Sequence, residues 1–143
     1  MRTLPTAVLV VMVLFVAVPT APAGGPTRTE RALLAQVNRA RTDHGLRPVR
    51  FAQPLQTRSH RYAVRLLRTD RFVHGSLPAG TRENLAWATT NIASMRRIVR
   101  MWLDSPGHRA NLLWRGARRA GAGIARGEFQ GHRDVRMAVL RLR

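Results

Sequence analysis

The chain has 143 residues, with 25 Arg, no Lys, 7 acidic residues, 5 His and no Cys, and a net charge of +18. That length suits one domain, and the lack of cysteine excludes disulfides, Cys-ligated zinc, iron–sulfur clusters and thiol catalysis. A hydrophobic content of 45% supports a packed core rather than a disordered tail.

The first element in chain order is an apolar run, Leu4 to Val18, broken only by Pro5 and Thr6. Arg2 precedes it, and Ala21-Pro22-Ala23 follows with a small–x–small pattern. Residues 1–23 read as a secretory signal peptide cleaved after Ala23. The competing reading is a membrane anchor, for which the run is shorter than the ~20 residues that span a bilayer. Residues 24–28 read as a linker, and 29–143 as one domain.

Thr27-x-x-Glu30 has the form of a capping box. Leu33, Val37 and Ala40 then recur at helical spacing up to Gly45, which predicts a first helix over about 29–44. Arg47 precedes a proline and is extended, placing a strand near Val49. Leu55, Ser59, Tyr62, Ala63, Leu66 and Leu67 predict a second helix from Pro54 to near Asp70. A loop with Pro78 and Gly80 leads to Glu83-Asn84-Leu85-Ala86-Trp87, which opens a further segment of unassigned type.

Ile92, Met95, Val99 and Trp102 step by three, four and three, with Arg96, Arg97 and Arg100 on the opposite face. This predicts an amphipathic helix with Trp102 in the core. Ser105-Pro106 is a new helix start, with a short turn over 107–113. Gly121 to Ala125 reads as a tightly packed strand and Gly127 to Gly131 as a turn. Val135, Met137 and Val139 alternate with Arg136 and Ala138 in a final strand. Helices first and an antiparallel pair last make an α+β fold, a three-layer sandwich.

The charge invites a nucleic-acid reading. The arginines are scattered through periodic segments, however, and no aromatic-interleaved recognition motif accompanies them. A solvated cationic surface suits anionic cell-envelope polymers or lipid headgroups better than specific nucleic-acid binding.

No G-x-S-x-G, Walker loop or H-E-x-x-H is present. None of the four serines, Ser59, Ser76, Ser94 and Ser105, sits in a nucleophile elbow. Three segments carry the candidate chemistry. His74, in Phe72-Val73-His74 just after a helix end, either terminates that helix or ligates something. Glu83 and Asn84 read either as a cap or buried hydrogen bond, or as site residues. His108, at the third position of the turn begun by Ser105-Pro106, is kept neutral by the positive helix end, or simply bonds a neighbouring loop.

Taken together these segments resemble the CAP family, also called the SCP domain, of cysteine-rich secretory proteins, antigen 5 and plant pathogenesis-related proteins. The resemblance is to its cysteine-free bacterial secreted branch and covers nearly the whole chain after residue 23. It rests on Val37-Asn38-Arg39-Ala40-Arg41 with Gly45-Leu46-Arg47-Pro48-Val49, on Phe72-Val73-His74, on Glu83-Asn84-Leu85-Ala86, on Trp102 to Leu112 with its Ser-Pro-Gly-His core, and on Ala120 to Gly123. Arg82 and Ser105 depart from the family pattern.

The resemblance implies an α-β-α sandwich with a central antiparallel sheet and a cleft lined by His74, Glu83, Asn84, Ser105 and His108. It implies His74, Glu83 and His108 as ligands of a divalent metal, zinc or magnesium, with Asp104 as a nearby acid. The expected function is a secreted, non-enzymatic binding module at or outside the cell envelope, taking an anionic polymer, a lipid or a small ligand. The alternative is a metal-assisted hydrolase using the same three residues. A cationic nucleic-acid or membrane-surface binder is a third reading.

Overall fold

The structure is a computed structural model and describes residues 25–143. The expected signal peptide lies outside the described residues. Four helices and four strands follow in the order α1 (Arg28–Asp43), β1 (Arg50–Phe51), α2 (Gln53–Thr69), β2 (Arg82–Thr89), α3 (Met95–Asp104), α4 (Pro106–Leu112), β3 (Arg119–Phe129) and β4 (His132–Leu142). The sheet order is β1-β3-β4-β2.

Each face of the sheet carries its own core. Toward α1, α3 and α4 lie Leu33, Val37, Ile98, Trp102, Leu112 and Leu140, all nearly without exposed surface. Toward α2 lie Ala63, Leu66, Leu85, Phe129, Met137 and Val139. The arrangement is the three-layer α-β-α sandwich expected from the sequence. The sheet is mixed rather than wholly antiparallel, because β1 pairs parallel to β3 through Arg50–Arg119 and Phe51–Ala120. A two-residue strand has no period from which its direction could be read.

The capping box at Thr27 forms on both sides: the Thr27 hydroxyl accepts from Glu30 N–H at 3.2 Å, and Glu30 Oε2 accepts from Thr27 N–H at 2.8 Å. Glu30 has a second role. Beyond Ala120 no strand among the described residues lies beside the outer edge of β3, yet the N–H groups of Ala122 and Ile124 are buried and must be satisfied. Ile124 N–H donates to Glu30 Oε1 (3.1 Å) and Ala122 N–H to Gln56 Oε1 (3.2 Å). Side chains of α1 and α2 thus stand in for a missing strand.

Asn38 and Arg41 are structural pins. Asn38 exchanges two hydrogen bonds with the backbone of Val49. Arg41 is buried, and its guanidinium donates to the carbonyls of Arg47, Leu112 and Trp114. These bonds fix the end of α1 to the approach of β1 and to the C-terminus of α4.

Gly121 and Gly123 let α2 lie directly on β3. A Cβ at Gly121 would stand 2.1 Å from the Gln56 nitrogen, and one at Gly123 would stand 2.2 Å from the Ser59 carbonyl carbon. Both obstacles are backbone, so nothing can rotate aside.

Three local expectations change. Ile92 is exposed and precedes α3; Ser94 caps that helix, and its inward row is Met95, Ile98, Val99 and Trp102. The turn after β3 is shorter than 127–131: the strand continues to Phe129 through an irregularity at Gly127, and only Gln130 and Gly131, both at positive φ, reverse the chain. The segment of unassigned type at Glu83 is β2. It is covered on both faces, so its apolar residues run on instead of alternating.

Candidate functional site

The candidate residues come together where the α2–β2 loop, β2, α4 and β4 meet. His74 is on the loop, Glu83 and Asn84 are on β2, and His108 is on α4. The His74 and His108 rings tilt toward each other with centroids 6.3 Å apart.

Glu83 is the hub. Its side chain has no exposed surface. Oε1 accepts from His74 Nδ1 at 3.0 Å and from Gly75 N–H at 3.0 Å, and Oε2 accepts from Arg141 Nε at 2.9 Å. Both oxygens are therefore committed. With Nδ1–H directed at the carboxylate, the free nitrogen of His74 is Nε2. The His74 side chain is 58% exposed, so that nitrogen is open to a ligand.

The surrounding bonds hold this unit in place. Arg141 also stacks on Tyr62, whose ring centre lies 4.9 Å from the guanidinium carbon, and the Tyr62 hydroxyl donates to Val73 O at 2.7 Å. Asn84 Nδ2 donates to His108 O at 2.9 Å, and Asn111 Nδ2 to Glu83 O at 3.1 Å. Trp102 Nε1 donates to Leu85 O at 2.9 Å. The outward carbonyls of edge strand β2 are thus taken by α3 and α4, which locks His108 against β2. Asn84 Oδ1 is buried with no hydrogen-bond partner. Arg82, where the family pattern has a different residue, lays its guanidinium over Trp114 at 4.6 Å.

Burial, then the neighbouring His74, holds His108 below the ordinary histidine value. This is the direction expected from the sequence. Ser105 occupies the N-cap position of α4 and makes no side-chain cap bond. Asp104 ends α3 at an exposed position.

Two concavities flank the histidines. One, of about 280 Å³, is lined by Tyr62, Arg65, Arg71, His74 and Gly75 among others. The other, of about 180 Å³, is largely apolar, with Phe72, Leu85, Trp87, Met101, Trp102 and His108. The cleft therefore has a polar centre and an apolar arm.

The donor set at that centre is two imidazoles. Among the described residues no three of His, Asp or Glu are grouped to hold a metal ion together. Glu83 has no free oxygen to offer and stands behind His74, as a carboxylate that orients an imidazole. Two nitrogens suit zinc better than magnesium, which takes oxygen ligands.

Arg141 and Tyr62 were not among the site residues read from sequence; Tyr62 was read only as part of the second helix. The available signal was Arg141 itself, an arginine on the same face of β4 as buried Val135, Met137 and Val139. A cation in such a row calls for a buried acid.

The sequence pattern of the cysteine-rich secretory protein family matches residues 34–138. No curated protein matches the chain significantly. Solved structures do. An outer surface protein of Borrelia burgdorferi is 21% identical with a TM-score of 0.64, covering 79% of this chain and 90% of its own. An extracellular SCP-domain protein of Bacillus anthracis is 17% identical with a TM-score of 0.62, covering 84% of this chain and 44% of its own. Venom allergen-like protein 4 of Schistosoma mansoni is 14% identical with a TM-score of 0.60, covering 82% of this chain and 89% of its own. At these identities the likeness shows the fold.

Proposed function

Because the chain belongs to the cysteine-rich secretory protein family, we propose that it is an exported, non-enzymatic binding module that takes its ligand in the cleft between His74 and His108. The observation that carries this reading is Glu83. A carboxylate with no exposed surface and both oxygens partnered is not poised to accept a proton from a substrate or a water. What the cleft presents instead is a free imidazole nitrogen on each side of a gap that a small ligand can bridge, with an apolar arm beside it. Export is supported by the apolar run and Ala-x-Ala site of residues 1–23.

The test is a screen of the purified protein against ester, peptide and phosphodiester substrates, with and without added zinc, beside calorimetric titration of small amphiphilic ligands. Saturable binding that His74→Ala and His108→Ala weaken, with no turnover, is the expected result. Turnover abolished by either substitution overturns it. Intact mass of the protein recovered from culture medium tests export, and a product retaining Met1 contradicts it.

One observation favours the second reading, metal-assisted hydrolysis: the two imidazoles stand 6.3 Å apart, and burial with the nearby His74 disfavours a proton on His108. His74 and His108 would hold the ion, and Glu83 would orient His74. A bound divalent cation supplies Lewis-acid polarisation there.

A further inference from the structure

A second surface feature is on α3, away from His74 and His108. Arg96, Arg97 and Arg100 are exposed, and Arg39 of α1 shares with Arg96 and Arg100 a groove of about 320 Å³ that is also lined by Ala40, Val99 and Leu103. Arg96 and Arg100 also line a second, broader concavity of about 680 Å³ that includes Arg97 and Ile92. Neither concavity shares a lining residue with those beside His74 and His108. Asp43 is the one acid in the narrower groove, and none of the four guanidiniums is ion-paired among the described residues.

Local physics works against these arginines. Arg96 and Arg97 are in the first turn of α3, which carries no acidic residue, at the positive end of the helix dipole. Arg96 and Arg100 are like charges four residues apart, and Arg97 and Arg100 three apart, both repulsive spacings on a helix. An anion laid along α3 turns both unfavourable terms into favourable ones.

We propose that this face of α1 and α3 is a docking surface for a flexible, linear phosphodiester polymer. The proposal shares with the function above only the premise of a binding role, and it names a second surface and a partner chemistry. Charge complementarity and the planar fork of arginine, which matches phosphate oxygens, select the anion. The two adjoining concavities accept a chain winding past Arg96 and Arg100, whereas a bilayer is flat, and the one exposed large apolar side chain lining them is Ile92. No Phe, Tyr or Trp lines either concavity and His44 is the one ring in the narrower, so a run of stacked nucleic-acid bases finds no platform.

The experiment compares the full chain with Arg96→Gln/Arg97→Gln/Arg100→Gln and with a control of equal charge, Arg58→Gln/Arg61→Gln/Arg68→Gln, whose residues are exposed on α2. The probe is poly(glycerol phosphate), which has neither bases nor acyl chains. Oligothymidylate and phosphatidylglycerol vesicles are parallel arms. The α3 variant should bind the polymer at least tenfold more weakly, with a log K against log salt slope shallower by about 2, while the control loses less than about threefold. The α3 variant should melt no lower than wild type at low salt, since repulsion has been removed. Equal losses in both variants mean that net charge alone binds and overturn the proposal. So does tighter wild-type binding to oligothymidylate or to vesicles than to the polymer. The readout involves neither histidine, so failure here leaves the cleft reading standing, and failure of the cleft leaves this surface standing.

Discussion

Glu83 and Arg141 face each other across β2 and β4, paired in register and joined at 2.9 Å between Oε2 and Nε, with neither side chain more than 10% exposed. The pair draws His74 into the cleft through the other carboxylate oxygen. A buried ion pair is weak evidence of net stability, but losing one partner strands the other. Glu83→Gln should therefore destabilise the protein by about 3–5 kcal/mol in chemical denaturation. A loss under about 1 kcal/mol would show that water reaches Arg141 freely.

Trp102 is 1% exposed and donates to Leu85 O. Trp102→Ala should cost about 3–5 kcal/mol by cavity formation. Trp102→Phe keeps most of the volume but leaves that carbonyl unpaired, for about 1–3 kcal/mol. Urea unfolding of the two variants separates packing from hydrogen bonding. A Trp102→Phe loss near zero would mean that the Leu85 bond contributes nothing, and equal losses that the packing does not.

Gly123→Ala places a methyl group against the α2 backbone, so α2 must move away from β3. The expected cost is about 3 kcal/mol or more, at the upper end for overpacking. Gly107→Ala, where a Cβ meets nothing within 4 Å, should be neutral or stabilising by up to about 1 kcal/mol. Thermal melting that ranks the two variants the other way contradicts the close approach of α2.

Burial pushes the Glu30 carboxyl up, but the Thr27 and Ile124 N–H groups and the His60 ring together hold it below the ordinary value of 4.5. A depressed carboxyl stabilises the fold at pH above its unfolded value, and that contribution is lost as pH falls through the folded value. The stability difference between wild type and Glu30→Gln should thus be full at pH 6–7 and shrink below about pH 4.5. A difference of constant size from pH 7 to pH 3 would show that the carboxylate charge is not what matters.

Calorimetric zinc titration tests the two imidazoles. Binding should be modest, weakened by His74→Ala and by His108→Ala, and lost progressively below about pH 6 as protons compete for the ring nitrogens. Glu83→Gln should weaken it as well, by releasing His74, rather than abolish it. Unchanged zinc affinity in both histidine variants would remove the metal from consideration at this cleft.

Periodicity carried much of the fold. The capping box, the 3.6-residue rows of α1 and α2, the Ser-Pro start of α4 and the alternation of β4 are local signals, and local signals are written in neighbouring residues. The glycines of β3 announced a close contact, although not that α2 makes it. The candidate residues His74, Glu83 and His108 were legible through motif resemblance, and the structure brings them to one place.

Partnership was decided elsewhere. Nothing near Glu83 in sequence points to Arg141, 58 residues away, and only strand pairing sets them opposite each other. Glu30 looked like a helix cap and is also the acceptor for an unpaired sheet edge 94 residues on. Ile92 had the right spacing for the core row, but the Ser94 cap begins the helix after it. Composition and period are set residue by residue along the chain. Which buried charge meets which, and so whether a carboxylate is free or committed, depends on strand register and on how closely the layers pack.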